Sequence, residues 1–96
     1  MTIKLDIQNL DNQASAKQAI TAAFTNTVKA INTFGGKELA TLEKGKDSFV
    51  IEYSANKKVR LTDKALLNFI TYHLTQLLRN NDKELLKTLL EKIEVG

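Results

Sequence analysis

The first ten residues alternate between apolar and polar side chains. Ile3, Leu5 and Ile7 recur at every second position, and the residues between them are polar or charged. A period of two with β-branched residues is typical of a strand that buries one face. The pattern therefore predicts a half-buried strand over residues 2–10.

The apolar spacing then lengthens to three and four residues. Large apolar side chains recur at Ile20, Phe24, Val28, Ile31 and Phe34. At about 100° per residue they form one stripe roughly 120° wide, as on a helix that packs against a core. Asp11 or Asn12 can cap this helix, and Ser15 and Gln18 have the spacing of a capping box one step later. The pair Gly35-Gly36 favours a left-handed helix end. We expect a helix over residues 14–34 whose whole stripe faces the core.

The middle of the chain returns to strands and turns. Residues 39–44 predict a weak strand, and Gly45 predicts the turn that follows it. Residues 48–54 alternate clearly and predict a stronger strand. After a turn at residues 55–57, residues 58–61 have the pattern of a further short strand. These segments predict an antiparallel meander of two or three strands, which the N-terminal strand can join.

The C-terminal third predicts two helices. Thr62 is placed as an N-cap, with Asp63 in the first turn, where the helix dipole favours a negative charge. Seven apolar residues then form one stripe at helical spacing, namely Leu66, Leu67, Phe69, Ile70, Leu74, Leu77 and Leu78. Residues 80–82 interrupt the pattern, and five more apolar residues follow on one helical face, namely Leu85, Leu86, Leu89, Leu90 and Ile93.

The order of these elements, β-α-β-β-(β)-α-α, defines the expected fold class. With strands and helices in this order, we expect an α+β fold with a small, mostly antiparallel sheet and helices packed on one face. The length of 96 residues predicts a single domain over residues 1–96.

The amino-acid composition bears on the cellular compartment in which the protein acts. The chain has no cysteine, which excludes disulfides, thiolate nucleophiles and Cys-rich zinc sites. Its N-terminus lacks the apolar run and cleavage site of a signal peptide, and no apolar segment has the length of a membrane span. Lys, Asn, Thr and Leu are frequent, as in low-GC bacteria and their phages and plasmids. We therefore expect a cytoplasmic protein with no membrane partner.

Residue types with catalytic chemistry are sparse. His73 is the only histidine and has no acid three or four residues away, so we interpret it as a packing residue. No serine lies in a nucleophile elbow, and Gly35-Gly36-Lys37 is not followed by Ser or Thr. We expect no catalytic, cofactor-binding or metal-binding residue, no cofactor and no small-molecule substrate, and thus a protein that is not an enzyme.

The outer face of the first helix is our candidate partner-binding surface. It is almost uncharged and comprises Thr21, Thr25, Asn26, Lys29 and Asn32. Interface cores are depleted of charge, so this face is either a partner-binding surface or simply a polar one. The leucine-rich final helix has two interpretations as well, because it either closes the core or pairs with a second copy. The leading hypothesis is a self-associating accessory protein of a bacterium or mobile element. It would bind a protein partner or form a homodimer with a second copy of itself.

Lysine-rich turns support an alternative hypothesis. The net charge is +3, and residues 37–61 hold six basic and four acidic side chains. The basic group of interest is Lys44, Lys46, Lys57, Lys58 and Arg60. These residues either bind the phosphates of a nucleic acid weakly or protect strand edges from pairing with other chains.

Overall fold

The computed structural model describes residues 2–10, 13–35, 38–54, 62–78 and 83–96. The elements in these ranges are β1 (Thr2–Asp6), α1 (Gln13–Gly35), β2 (Ala40–Lys44), β3 (Ser48–Tyr53), α2 (Asp63–Leu78), α3 (Lys83–Lys92) and β4 (Glu94–Val95). The predicted α+β class is therefore confirmed, with a four-stranded antiparallel sheet and three helices in the described part of the chain.

The sheet has the strand order β2-β3-β1-β4, and every pairing is antiparallel. Leu5 lies opposite Phe49, and Ile3 lies opposite Ile51. All four side chains are buried, whereas Lys4, between Ile3 and Leu5, is exposed. One face of the sheet therefore forms the core and the other meets solvent, as is common for antiparallel sheets.

The structure differs from the predicted strands in two places, and one further predicted strand cannot be compared with it. The N-terminal strand ends at Asp6 rather than at residue 10. Past it, the Ile7 N–H donates to the Asp47 carbonyl (2.8 Å), and Asn9 adopts a positive φ of 68° in a turn. The sequence pattern also missed β4, which is only two residues long and pairs with β1. The predicted turn at 55–57 and strand at 58–61 lie outside the described residues.

The helices cover the core face of the sheet. α1 contacts β2 and β3, α3 contacts β1, and α2 packs against α1 and α3. The rings of Phe24 and Phe49 meet edge to face, with centroids 5.9 Å apart and planes at 70°. These two aromatic side chains join α1 to the sheet at the centre of the core.

The apolar stripe of α1 is buried along most of its length but not at its end. Ile20, Phe24 and Ile31 are buried, yet Phe34 is 84% exposed because it lies in the last turn, beyond the final buried residue. The expectation that Phe34 faces the core is therefore wrong. Thr27 is buried instead, and its hydroxyl donates to the Ala23 carbonyl (2.7 Å), which satisfies it inside the core.

One of the predicted helix caps is confirmed and another is wrong. Thr62 Oγ1 accepts a hydrogen bond from the Ala65 N–H (3.1 Å), so the N-cap of α2 is confirmed. The capping box at Ser15 is wrong, because α1 begins at Gln13 and Ser15 lies inside it. The alternative caps, Asp11 and Asn12, lie outside the described residues. At the other end, α1 extends to Gly35, in agreement with a glycine stop.

The C-terminal helices bury only part of their predicted stripes. Leu66, Ile70 and Leu74 of α2 are buried, as are Leu85 and Leu89 of α3. The leucines of α3 therefore close the chain's own core, which was the first of their two interpretations. Two residues assigned to the α2 stripe are more exposed than expected, namely Phe69 (40%) and Leu77 (43%).

Asn32 of α1 takes the place of a neighbouring strand beside β2, which lies at the edge of the sheet formed by the described residues. Its Oδ1 accepts the N–H groups of Leu39 (2.7 Å) and Ala40 (2.9 Å), and its Nδ2 donates to the Ala40 carbonyl (3.0 Å). One side-chain amide thus pairs with both backbone groups of Ala40, as a peptide group of an adjacent strand would. This contact attaches the end of α1 to the beginning of β2.

Replacing Asn32 with Ala should lower the free energy of unfolding by about 1–3 kcal/mol, because backbone groups of Leu39 and Ala40 lose their partners. The control is Asn26→Ala, an exposed asparagine on the same helix, for which we expect a change within about 0.5 kcal/mol. Urea denaturation measures both variants. Equal effects would show that the Asn32 amide does not hold α1 to β2.

The two phenylalanines of α1 should respond very differently to the same truncation. Phe24→Leu should destabilise the protein by about 1–2 kcal/mol, since it removes buried ring contacts with Phe49. Phe34→Leu should leave stability within about 0.5 kcal/mol of wild type. Thermal denaturation compares the two, and a large loss for Phe34→Leu would mean that the last turn of α1 is covered in solution.

Candidate interaction surfaces

The predicted partner face of α1 divides into two parts. Thr25, Asn26 and Lys29 are exposed, whereas Thr21 and Asn32 are half-buried. The Asn32 amide is bonded to β2, and Thr21 lies beside the β2–β3 hairpin. The face therefore presents a narrower polar surface to solvent than its helical spacing predicts, and its role in partner binding stays a prediction.

A second surface lies on α2 and was missed by the sequence analysis. We define the α2 outer face by the residues that line one shallow depression of about 410 Å³, namely Ala65, Asn68, Phe69 and Tyr72. Phe69 is 40% exposed and Tyr72 is 60% exposed. Exposed aromatic side chains grouped on one face are typical of sites that bind another molecule.

This helical layer is also poor in charge. The chain has 14 basic and 11 acidic side chains, but α1 and α2 contain only Lys17, Lys29, Asp63 and Lys64. No charged residue lies between Ala65 and Leu78. The uncharged run on α2 was visible in the sequence, and it is the signal that could have located this surface.

A basic pocket lies where the first turns of α1 meet the β2–β3 hairpin. We call it the hairpin pocket; it has a volume of about 320 Å³ and is lined by Lys17, Gln18, Thr21, Lys44, Gly45, Lys46 and Phe49. Lys44 lies opposite Phe49 in the β2–β3 register, which places it on the side of the sheet that α1 covers. Lys17 and Thr21 are one helical turn apart and share a face of α1.

Asp47 fastens the N-terminal part of α1 to the hairpin beside this pocket. Its Oδ1 accepts a hydrogen bond from Gln13 Nε2 (2.5 Å) and lies 3.3 Å from the Lys17 ammonium. The Asp47 carbonyl accepts the Ile7 N–H as well. One turn residue therefore contacts the helix and the end of the central strand β1.

The structure brings together part of the predicted basic group. Lys44 and Lys46 are exposed and line the same pocket, and they are joined by Lys17, which the sequence analysis did not select. The other predicted members, Lys57, Lys58 and Arg60, lie outside the described residues. No sequence signal connects Lys17 with Lys44, because their proximity depends on how α1 crosses the hairpin.

The other titratable side chains in the described ranges give little indication of catalysis or metal binding. His73 is half-buried, and its ring packs edge-on against Tyr72 with centroids 5.4 Å apart, in agreement with a packing role. Asp6, Glu91 and Glu94 border a polar depression together with Lys92. Across the described ranges, however, no three His, Cys, Asp or Glu side chains are grouped so that they could hold a metal ion.

None of the described helices is both long enough and apolar enough to cross a bilayer. Comparison with known proteins yields no match to a family model, a curated protein or a solved structure. The α2 outer face and the hairpin pocket are therefore the two features from which function can be inferred.

Proposed function

We propose that the chain is a non-enzymatic protein-interaction module that self-associates as a homodimer through the α2 outer face. The observation that carries this proposal is the exposure of Phe69 and Tyr72 on a helix face without charges. In keeping with its composition, we further propose a small accessory protein of a bacterium or mobile element that acts in the cytoplasm.

The spacing of the exposed side chains suits contact with another helix. Ala65, Phe69, Tyr72 and Gln76 follow one another at intervals of four, three and four residues. Alternating steps of four and three residues are those of a heptad repeat, in which two helices keep a common seam in contact. α2 contains 16 residues, so its axis is about 24 Å long and can hold all four positions of the seam.

A second copy of the chain is the partner that best matches this surface. Two copies related by a twofold axis present the same patch to each other. With the axis between Phe69 and Tyr72 and the helices antiparallel, each Phe69 meets Tyr72 of the other copy. Such aromatic pairs contribute about 0.5–1.5 kcal/mol beyond the area they bury. The uncharged run from Ala65 to Leu78 lets the helices meet without burying an ion.

The exposed residues of α1 fit this arrangement as additional contacts. α1 packs against α2, and its Thr25 and Asn26 are exposed and uncharged. They remain our candidates for contacts at the rim of the dimer, together with Lys29. Thr21 and Asn32 have positions within the fold, so we assign them no contact with the second copy.

Nucleic-acid binding is the second candidate function, and one observation favours it. Lys44 and Lys46 share a concave site with Lys17, which concentrates positive charge beside the β2–β3 hairpin. We propose that a nucleic acid would contact this site. Lys57, Lys58 and Arg60, which lie outside the described residues, remain further predicted contacts. Such binding would weaken steeply with added salt, because lysine–phosphate contacts release counterions.

Charge placed on the seam should separate the dimer. We expect wild-type protein to show concentration-dependent dimerisation in sedimentation velocity. Tyr72→Glu should weaken the dimer by about 30-fold or more, because a central aromatic anchor is lost and a carboxylate is introduced. Tyr72 is 60% exposed, so this variant should retain its circular dichroism spectrum.

The matched control is Ser54→Glu, which adds the same charge to an exposed residue directly after β3, outside α2. This variant should dimerise like wild type. A wild-type protein that is monomeric at every concentration would contradict the proposal. So would equal weakening by the two substitutions, because the contact would then not depend on the seam.

A further inference from the structure

We propose that the hairpin pocket binds a phosphate group carried by an organic molecule. Lys17, Lys44 and Lys46 would neutralise it, and the Thr21 hydroxyl would donate a hydrogen bond. This site is separate from the α2 outer face and does not depend on self-association. It specifies the second candidate function, nucleic-acid binding, as the binding of a phosphate group in one pocket.

The convergence of the three lysines carries the inference. They come from two elements, α1 and the β2–β3 hairpin, and line one concave space rather than an open surface. Lys44 is directed there by its register opposite Phe49, and Lys17 by the Asp47 contact that holds α1 to the hairpin. A pocket concentrates the field of several charges on a ligand more strongly than scattered surface lysines do.

The donors in the pocket are side chains. The three ammonium groups, the half-buried Thr21 hydroxyl and the Gln18 amide can all donate to phosphate oxygens. The Gly45 N–H is already bonded to the Ser48 carbonyl (2.9 Å), so we do not include it among the donors. Lysine acts as a point charge toward phosphate, which suits a site assembled from separate ammonium groups.

The volume and the lining residues of the pocket indicate what kind of molecule carries the phosphate. A volume of about 320 Å³ exceeds that of a single phosphate ion, and the side chain of Phe49 supplies an apolar wall. The ligand class is therefore a phosphate ester, either a small monoester or one phosphodiester unit of a nucleic acid. The shared feature is the phosphate, and the two sources are separated by experiment.

Among the described residues, Asp47 is an acidic group that contacts a lysine of this site. It pairs with Lys17 and accepts from Gln13, so it competes with a phosphate for the Lys17 ammonium. Three lysines and this one aspartate leave two positive charges, and a phosphate monoester carries a charge of about −1.5 to −2 at pH 7. Removing the aspartate charge should therefore strengthen binding.

The test uses the full chain and three probes: inorganic phosphate, phenyl phosphate and a fluorescein-labelled single-stranded DNA. Amide chemical shifts of wild type should change with phenyl phosphate at Lys17, Thr21, Gly45 and Lys46. The double variant Lys44→Gln/Lys46→Gln should bind phenyl phosphate on the order of tenfold more weakly, since two charge-assisted contacts are lost. Binding of inorganic phosphate should be weaker than that of the ester.

Matched variants separate the pocket from general charge effects. Lys83→Gln/Lys87→Gln removes the same charge from exposed positions of α3 and should leave binding unchanged. Asp47→Asn keeps an amide oxygen that can accept from Gln13 and Lys17 but removes the charge, so it should tighten phenyl phosphate binding. Glu43→Gln should not, because Glu43 is exposed on the opposite face of the sheet, across from Val50. Melting temperatures show that each variant is folded.

The oligonucleotide distinguishes the sources of the phosphate. If the nucleic acid is the ligand, Lys44→Gln/Lys46→Gln should reduce the salt dependence of its binding by a slope of about 1.4. If only phenyl phosphate binds, the ligand is a small monoester. Two results would overturn the site: no shifts with any probe, or equal loss in the pocket and α3 variants. Oligonucleotide binding that depends on Lys57, Lys58 and Arg60 but not on Lys44 and Lys46, without any effect of phenyl phosphate, would overturn it as well.

Discussion

The attachment of α1 to the β2–β3 hairpin at both of its ends is the constraint on which the rest of the structure depends. Asn32 bonds to the first residues of β2 at one end, and Asp47 bonds to Gln13 and Lys17 at the other. From Lys17 to Asn32 the helix advances about 22 Å at 1.5 Å per residue, so the two contacts lie near opposite ends of α1. Phe24 meets Phe49 between them.

Both candidate surfaces follow from this geometry. The Asp47 end brings Lys17 beside Lys44 and so creates the hairpin pocket. α2 packs against α1 and α3 through the face that contains Leu66, Ile70 and Leu74. The aromatic side chains on the other side of α2 are consequently left exposed. The two surfaces lie on different elements, so self-association and phosphate binding can be disrupted separately by substitution.

Local periodicity was sufficient for much of the fold but not for the features that depend on distant residues. It located the half-buried strands, the helices and the Thr62 cap, because each is determined by side chains a few positions apart. It placed Phe34 and Leu77 in buried stripes by their angle, although both lie in the last turns of their helices and are exposed. A strand of two residues, Glu94–Val95, is too short to show any period. The role of Asn32 depends on a strand that the spacing of helix residues does not reveal.

Amide hydrogen exchange at the two ends of α1 tests the attachment most directly. The N–H of Leu39 lies before β2, and the side-chain amide of Gln13 lies at the beginning of α1. Their acceptors are Asn32 Oδ1 for Leu39 and Asp47 Oδ1 for Gln13 Nε2. We expect the Leu39 N–H to be protected to nearly the same degree as the core amides of α1, and the Gln13 side-chain amide to exchange more slowly than that of Gln76, which is exposed. Rapid exchange at Leu39, or equal exchange at Gln13 and Gln76, while the core of α1 remains protected would show that α1 is not held to the hairpin at both ends.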